Sequence, residues 1–208
     1  MHAINLYDII IFIKGNINSN LLKRRYKMKY LKVMFSNESR YNNFQYKIGE
    51  INYAPSWNPN ATTPEEMGGL NFSNEENILR YLHNGDTIYD VEIPEDAEVI
   101  SVKECATPYG VFRSNKIIIK NPRKVTDEMA LEFYEKSTMP EEAYPKALGG
   151  ISIMNFSKTA KAIFSDKVNN NTIEYFLSEW NDFTDRPERK NCNDTVIEID
   201  KRLREFSK

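Results

Sequence analysis

Apolar and polar residues alternate along the first half of the chain and fall at helical spacing along the second. Tyr30–Phe35 reads as a first strand, and Phe44–Gly49 alternates with period two and reads as a second. Residues 52–64 hold three prolines among Asn and Thr and read as a long loop. A short strand follows the pair Gly68-Gly69. Ser73 or Asn74 then caps a helix whose buried side is Ile78, Leu79 and Leu82, with Glu76 placed as in a capping box and Asn84-Gly85 ending it. Thr87–Ile93 alternates up to Pro94, Val99–Val102 is a further strand, and Val111-Phe112 with Ile117–Ile119 makes another. After Pro122 the spacing changes. Thr126 caps a helix running to Lys136, and residues 141–148, 156–164, 172–180 and 194–206 are helical, with Trp180 and its apolar neighbours on one face.

This order predicts an α+β fold: a small, mixed, mostly antiparallel sheet with a strand–helix junction, followed by a helical carboxy-terminal part. Residues 29–122 form the strand-rich module and 123–208 the helical part packed on it. Residues 1–28 read as a leader outside the fold, with Met28 as a candidate second initiator. The apolar run Ile9–Ile13 is far shorter than the roughly 20 residues a membrane-spanning helix needs, and its positive charges follow it, unlike those of a signal peptide. No transmembrane segment is expected.

Charge changes the picture. Residues 1–32 hold seven Lys/Arg against one Asp, so the rest of the 208-residue chain is acidic although the overall net charge is only −2. An acidic body argues against a nucleic-acid partner. The one basic stretch, Lys116, Lys120, Arg123 and Lys124 behind Tyr109 and Phe112, reads as lysine protection of a strand edge. Cys105 and Cys192 have no companion for a zinc site and suit a reducing compartment. The abundance of Asn, Ile, Lys and Tyr suits an AT-rich genome.

Several short blocks occur in a fixed order: Phe44-Gln45-Tyr46-Lys47 with Gly49, Trp57-Asn58-Pro59-Asn60, Gly68-Gly69-Leu70-Asn71-Phe72-Ser73, Ile78 with Tyr81-Leu82, Gly85, Val91-Glu92-Ile93-Pro94, and Phe112–Ile119. In this order residues 29–120 resemble the amino-terminal module of ankyrin-repeat-type proteins of mimivirus-like giant viruses. The resemblance implies an intracellular viral protein, in the host cytoplasm or the virion. Residues 123–208 carry no ankyrin signature such as Thr-Pro-Leu-His, so an ankyrin-mediated partner is not implied.

Two functional readings follow. The first is a non-catalytic protein-interaction module that needs no cofactor. Its partner is a host or viral protein, and Trp57, an aromatic in a Pro/Asn-rich loop, is the anchor. The second rests on the Gly pair, since strand–helix junctions either hold a nucleotide or only pack a helix on a sheet. Gly69-Leu70-Asn71-Phe72-Ser73 with Tyr81 resembles the NAD-lining block of the ADP-ribosyltransferase superfamily. That resemblance implies NAD held by Gly69, Phe72, Ser73 and Tyr81, with Tyr46 or Tyr53 stacking and Ser73 donating. The carboxylate such chemistry needs is missing from the expected strand, which carries Arg113; Glu104 is the nearest acid. Without that acid the site would bind a nucleotide and not turn it over.

Overall fold

The computed structural model describes residues 28–39, 43–104 and 107–208. Seven strands form one sheet: β1 (Tyr30–Met34), β2 (Ile51–Tyr53), β3 (Leu70–Asn74), β4 (Thr87–Glu92), β5 (Val99–Glu104), β6 (Thr107–Ser114) and β7 (Lys116–Lys124). They are ordered β2-β7-β4-β1-β3-β6-β5. Every ladder is antiparallel. The helices are α1 (Pro64–Met67), α2 (Asp127–Glu135), α3 (Tyr144–Ile153), α4 (Ser157–Lys167), α5 (Ile173–Thr184) and α6 (Asp194–Phe206), with 3-10 helices at Ile78–Asn84 and Glu141–Ala143. Strands precede helices, as an α+β fold requires.

Strand alternation divides the apolar residues between two faces. Leu31, Val33 and Ile88 face Ile78, Leu79 and Leu82 of the 3-10 helix and the helical layer, in one core. Met34, Phe72, Val91, Ile117 and Ile119 point the other way, where Phe44, Tyr46 and Ala54 pack against them. Chain between β1 and β2 and just after β2 therefore covers the second face, where an α/β protein would place helices. Helix α3 is the hub of the helical layer and touches the 3-10 helix, α4, α5 and α6. Trp180 is buried there, its indole N–H donating to Asp200 Oδ1 at 3.0 Å, which agrees with its helical spacing.

Local chemistry sets the helix starts. Thr126 accepts from the Met129 amide at 3.2 Å, and Asn193 caps α6 by accepting from Val196 N at 3.0 Å. These bonds satisfy amides that the first helical turn leaves without partners.

Four expectations are corrected. Residues 44–49 make only isolated bridges, and the edge strand lies at Ile51–Tyr53, inside the stretch read as loop. Helix α1 closes that same stretch; Pro64 begins it, and Thr63 caps it by accepting from Glu66 N at 3.4 Å. Val111-Phe112 and Ile117–Ile119 belong to separate strands, and the second of these runs through Pro122 to Lys124. Proline lacks the N–H that a ladder uses, but between Ile88/Arg123 and Asp90/Lys120 β7 has one residue more than β4, and Asn121 turns left-handed at φ 51°. Pro122 therefore sits in a bulge, where no ladder bond is asked of it. Finally, Ser73 and Asn74 stay in β3, and the helix after them is a 3-10 helix whose first residue follows Asn77 with no side-chain cap. The capping box does not form.

Candidate functional site

The Gly68-Gly69 pair is left-handed at both residues, φ 65° and 81°, a conformation glycine adopts without the Cβ penalty. What it admits is the loop before α1. Trp57 bridges Gly68, the Gly69 amide donates to Ser56 O at 2.8 Å, and the Asn58 amide donates to Met67 O at 2.9 Å. A Cβ on Gly69 would lie 2.7 Å from the Trp57 ring, and one on Gly68 2.4 Å from Ser56 Oγ. Arg113 donates to Gly68 O at 2.8 Å. The glycines pack a loop onto the sheet edge, with their open sides filled by protein.

The four residues expected to hold NAD do not converge. Gly69 is covered by Trp57. Phe72 lies on the opposite face from Ser73, edge-on to Tyr30 at 5.0 Å and stacked on Phe112 at 5.7 Å. Ser73 is buried, and its hydroxyl donates to the Gly110 carbonyl. Tyr81 is half-buried between the helix-side core and the small cluster of Met67, Val102 and Val111. Of the two stacking candidates, Tyr46 is buried in the second face, where burial pushes its hydroxyl pKa up, and Tyr53 stands exposed at the sheet edge. The Glu104 side chain, Cys105 and the Tyr109 side chain lie outside the described residues.

Trp57, the expected anchor, lies in the loop before α1. It is half-buried against Met67, Val102 and Val111, and its indole N–H donates to Glu98 Oε2 at 2.5 Å. It is partly covered and partly open to solvent.

Three of the four basic residues on β7 are paired by the neighbouring strand and the turn after it. Lys116 pairs with Asp96; Lys120 pairs with Glu92 at 2.5 Å and Arg123 with Asp90 at 2.7 Å. The Arg123 guanidinium beside Asp90 holds that carboxyl below the usual range. A phosphate backbone would have to displace these acids.

Two features escape a reading by pattern. The first is Lys32 in the middle of β1, only 6 % exposed. The β1–β3 ladder has two pairs, Tyr30↔Asn74 and Leu31↔Ser73. Beyond them Lys32 Nζ takes over, donating to the Asn71 carbonyl at 2.5 Å and to Asn71 Oδ1 at 2.7 Å. The Tyr46 ring lies 4.9 Å away. Desolvation, then repulsion from Arg113, bring the Lys32 pKa down to about 7. A neutral amine has two N–H donors, and both are used here. In a sequence this residue looks like one polar position of an alternating strand.

The second is a cleft of about 310 Å³ between the 3-10 helix, α3 and α5, walled by Arg80, Lys146, Glu179, Asp182 and Arg189 over His83 and Phe183. Gly149-Gly150 in α3 makes it. A Cβ at Gly149 would meet the Phe183 ring at 2.8 Å, and one at Gly150 would meet His83 Nδ1 at 2.9 Å. Each glycine in a helix interior costs up to about 1 kcal/mol relative to alanine. The pair lies just past the helix read over residues 141–148, and α3 continues through it to Ile153. Among the described residues no group of three or more His, Cys, Asp or Glu is arranged to hold a metal, and no helix is long and apolar enough to cross a membrane.

No family description, curated protein or solved structure matches the chain, so its function is argued from its own residues.

Proposed function

We propose that the chain is a non-catalytic protein-interaction module that acts inside the infected host cell. The observation that carries this reading is the edge of the sheet at β2. Ile48, Ile51 and Tyr53 stand 49, 42 and 63 % exposed, and Ile48 and Ile51 both border β7, at Ile119 and Ile118. Among the described residues no further strand follows beyond β2. An edge strand with unpaired backbone groups and exposed apolar side chains suits the addition of a strand from a host or viral protein. Lysine on a strand edge normally resists such pairing, but Lys116 lies over the Tyr53 ring at 5.9 Å, and its amine is engaged by Asp96. Trp57, four residues beyond β2, is half-buried against Met67, Val102 and Val111.

The test is partner capture from infected cells with the full chain as bait, against an Ile51→Lys/Tyr53→Lys double variant that retains the native circular dichroism spectrum. Specific proteins held by the wild type and lost by the variant support the reading; equal capture by both overturns it. A calorimetric titration with NAD runs beside it. Saturable heat would instead favour an ADP-ribosyltransferase-like protein.

A further inference from the structure

The cleft formed by Gly149-Gly150 carries charges of both signs. Lys146 is paired with Glu179 at 3.5 Å, and the Arg189 guanidinium lies 4.4 Å from the Phe183 ring centre and donates to Phe183 O at 3.4 Å. Those four residues are held in place by one another. Arg80 and Asp182 are different. Both line the cleft, and among the described residues neither makes an ion pair. Arg80 makes a weak bond of 3.5 Å to Tyr81 Oη, lies over the Tyr81 ring at 5.6 Å, and is near enough to Tyr175 to act on it by charge. An exposed carboxylate and a half-buried guanidinium therefore share one cavity yet stand more than an ion-pair distance apart.

We infer that the cleft binds a small zwitterion of the free α-amino-acid class, its carboxylate on Arg80 and its ammonium on Asp182. The guanidinium fork matches a carboxylate in two hydrogen bonds. The volume lies at the lower end of the range for small-molecule sites, too small for a dinucleotide and ample for an amino acid. His83 and Phe183 also line the cleft, the Phe183 ring lying under the Arg189 guanidinium at 4.4 Å. Opposite charges on the walls reject a simple anion or a simple cation, since each would leave one wall unpaired. The glycine pair lets both rings seat on the α3 backbone, since a Cβ at either position would come within 2.9 Å of one of them.

The experiment is a two-dimensional amide NMR titration of the full chain, reading Gly149, Gly150 and Phe183. The proteinogenic L-amino acids are added one at a time, with sodium acetate and methylammonium chloride as half-ligands. Saturable shifts of these amides by at least one amino acid are expected, with affinity at least tenfold weaker in Arg80→Gln and in Asp182→Asn. Asp182 is exposed, so that variant keeps the fold whatever happens at Arg80. The inference is overturned if no amino acid gives saturable shifts, if acetate reproduces them, or if Asp182→Asn binds like the wild type.

Discussion

Lys32→Met removes an amine that the fold holds in an apolar, desolvated place. In the unfolded chain this lysine keeps its proton up to its ordinary pKa of 10.5; in the folded protein it loses it near 7. Between those values the unfolded state binds more protons, so folding stability rises with pH. Below pH 7 the full penalty of a buried charge is present, and above 10.5 it is gone. The residue is 6 % exposed, so water screens little of this. A difference of this size corresponds to about 5 kcal/mol in all, of which about 2 kcal/mol is regained between pH 7 and pH 9. Tyr46, the titratable ring beside the amine, has its pKa raised by burial and stays neutral across that interval.

The assay is urea unfolding at pH 7 and pH 9, followed by circular dichroism, for the wild type and for Lys32→Met. The variant also strands the Asn71 carbonyl and Oδ1, which lowers its stability at both pH values and cancels in the difference. The wild type should gain about 2 kcal/mol more than the variant over the interval, or about 1 M in urea midpoint at a slope of about 2 kcal/mol/M. Parallel changes in the two proteins would show that Lys32 keeps its proton in the fold and would refute the reasoning.

Two further substitutions check the packing. Trp57→Ala should lower stability by about 2 kcal/mol, because it uncovers Gly69 and removes packing against Met67, Val102 and Val111; an unchanged thermal midpoint would return Trp57 to the role of a free surface anchor. Gly85→Ala should unfold the protein or destabilise it by more than about 3 kcal/mol, although its φ of 178° is open to any residue, because the added Cβ would lie 2.0 Å from the Met34 carbonyl carbon; native-like melting of that variant would show that β1 can move aside.

Residues whose partners lie nearby in sequence were legible without the fold. Thr126 satisfies an amide three residues on, so its capping role was written in its spacing. The same holds for the apolar stripe around Trp180, and for the segregation of period-two from helical pattern that makes the chain α+β. Residues whose partners lie far away were not legible. Ser73 has the right neighbour for a capping box, but its hydroxyl goes to Gly110, 37 positions on, and β3 runs on through Asn74. Pro122 was read as the end of the strands because the bulge that excuses it is shared with β4. Gly85 looked like a left-handed helix end, and its real constraint is the backbone of β1. Phe72 and Ser73 stood side by side in a motif, and the pleat sent them to opposite faces of the sheet. Lys32 became a buried amine because β1 and β3 part just beyond Leu31, and the cleft exists because a ring from α5 and another from the 3-10 helix meet two glycines of α3. Periodicity and capping chemistry are local and can be read from the chain; burial, cavities and pKa depend on which distant segments the fold brings together, and that only the tertiary structure decided.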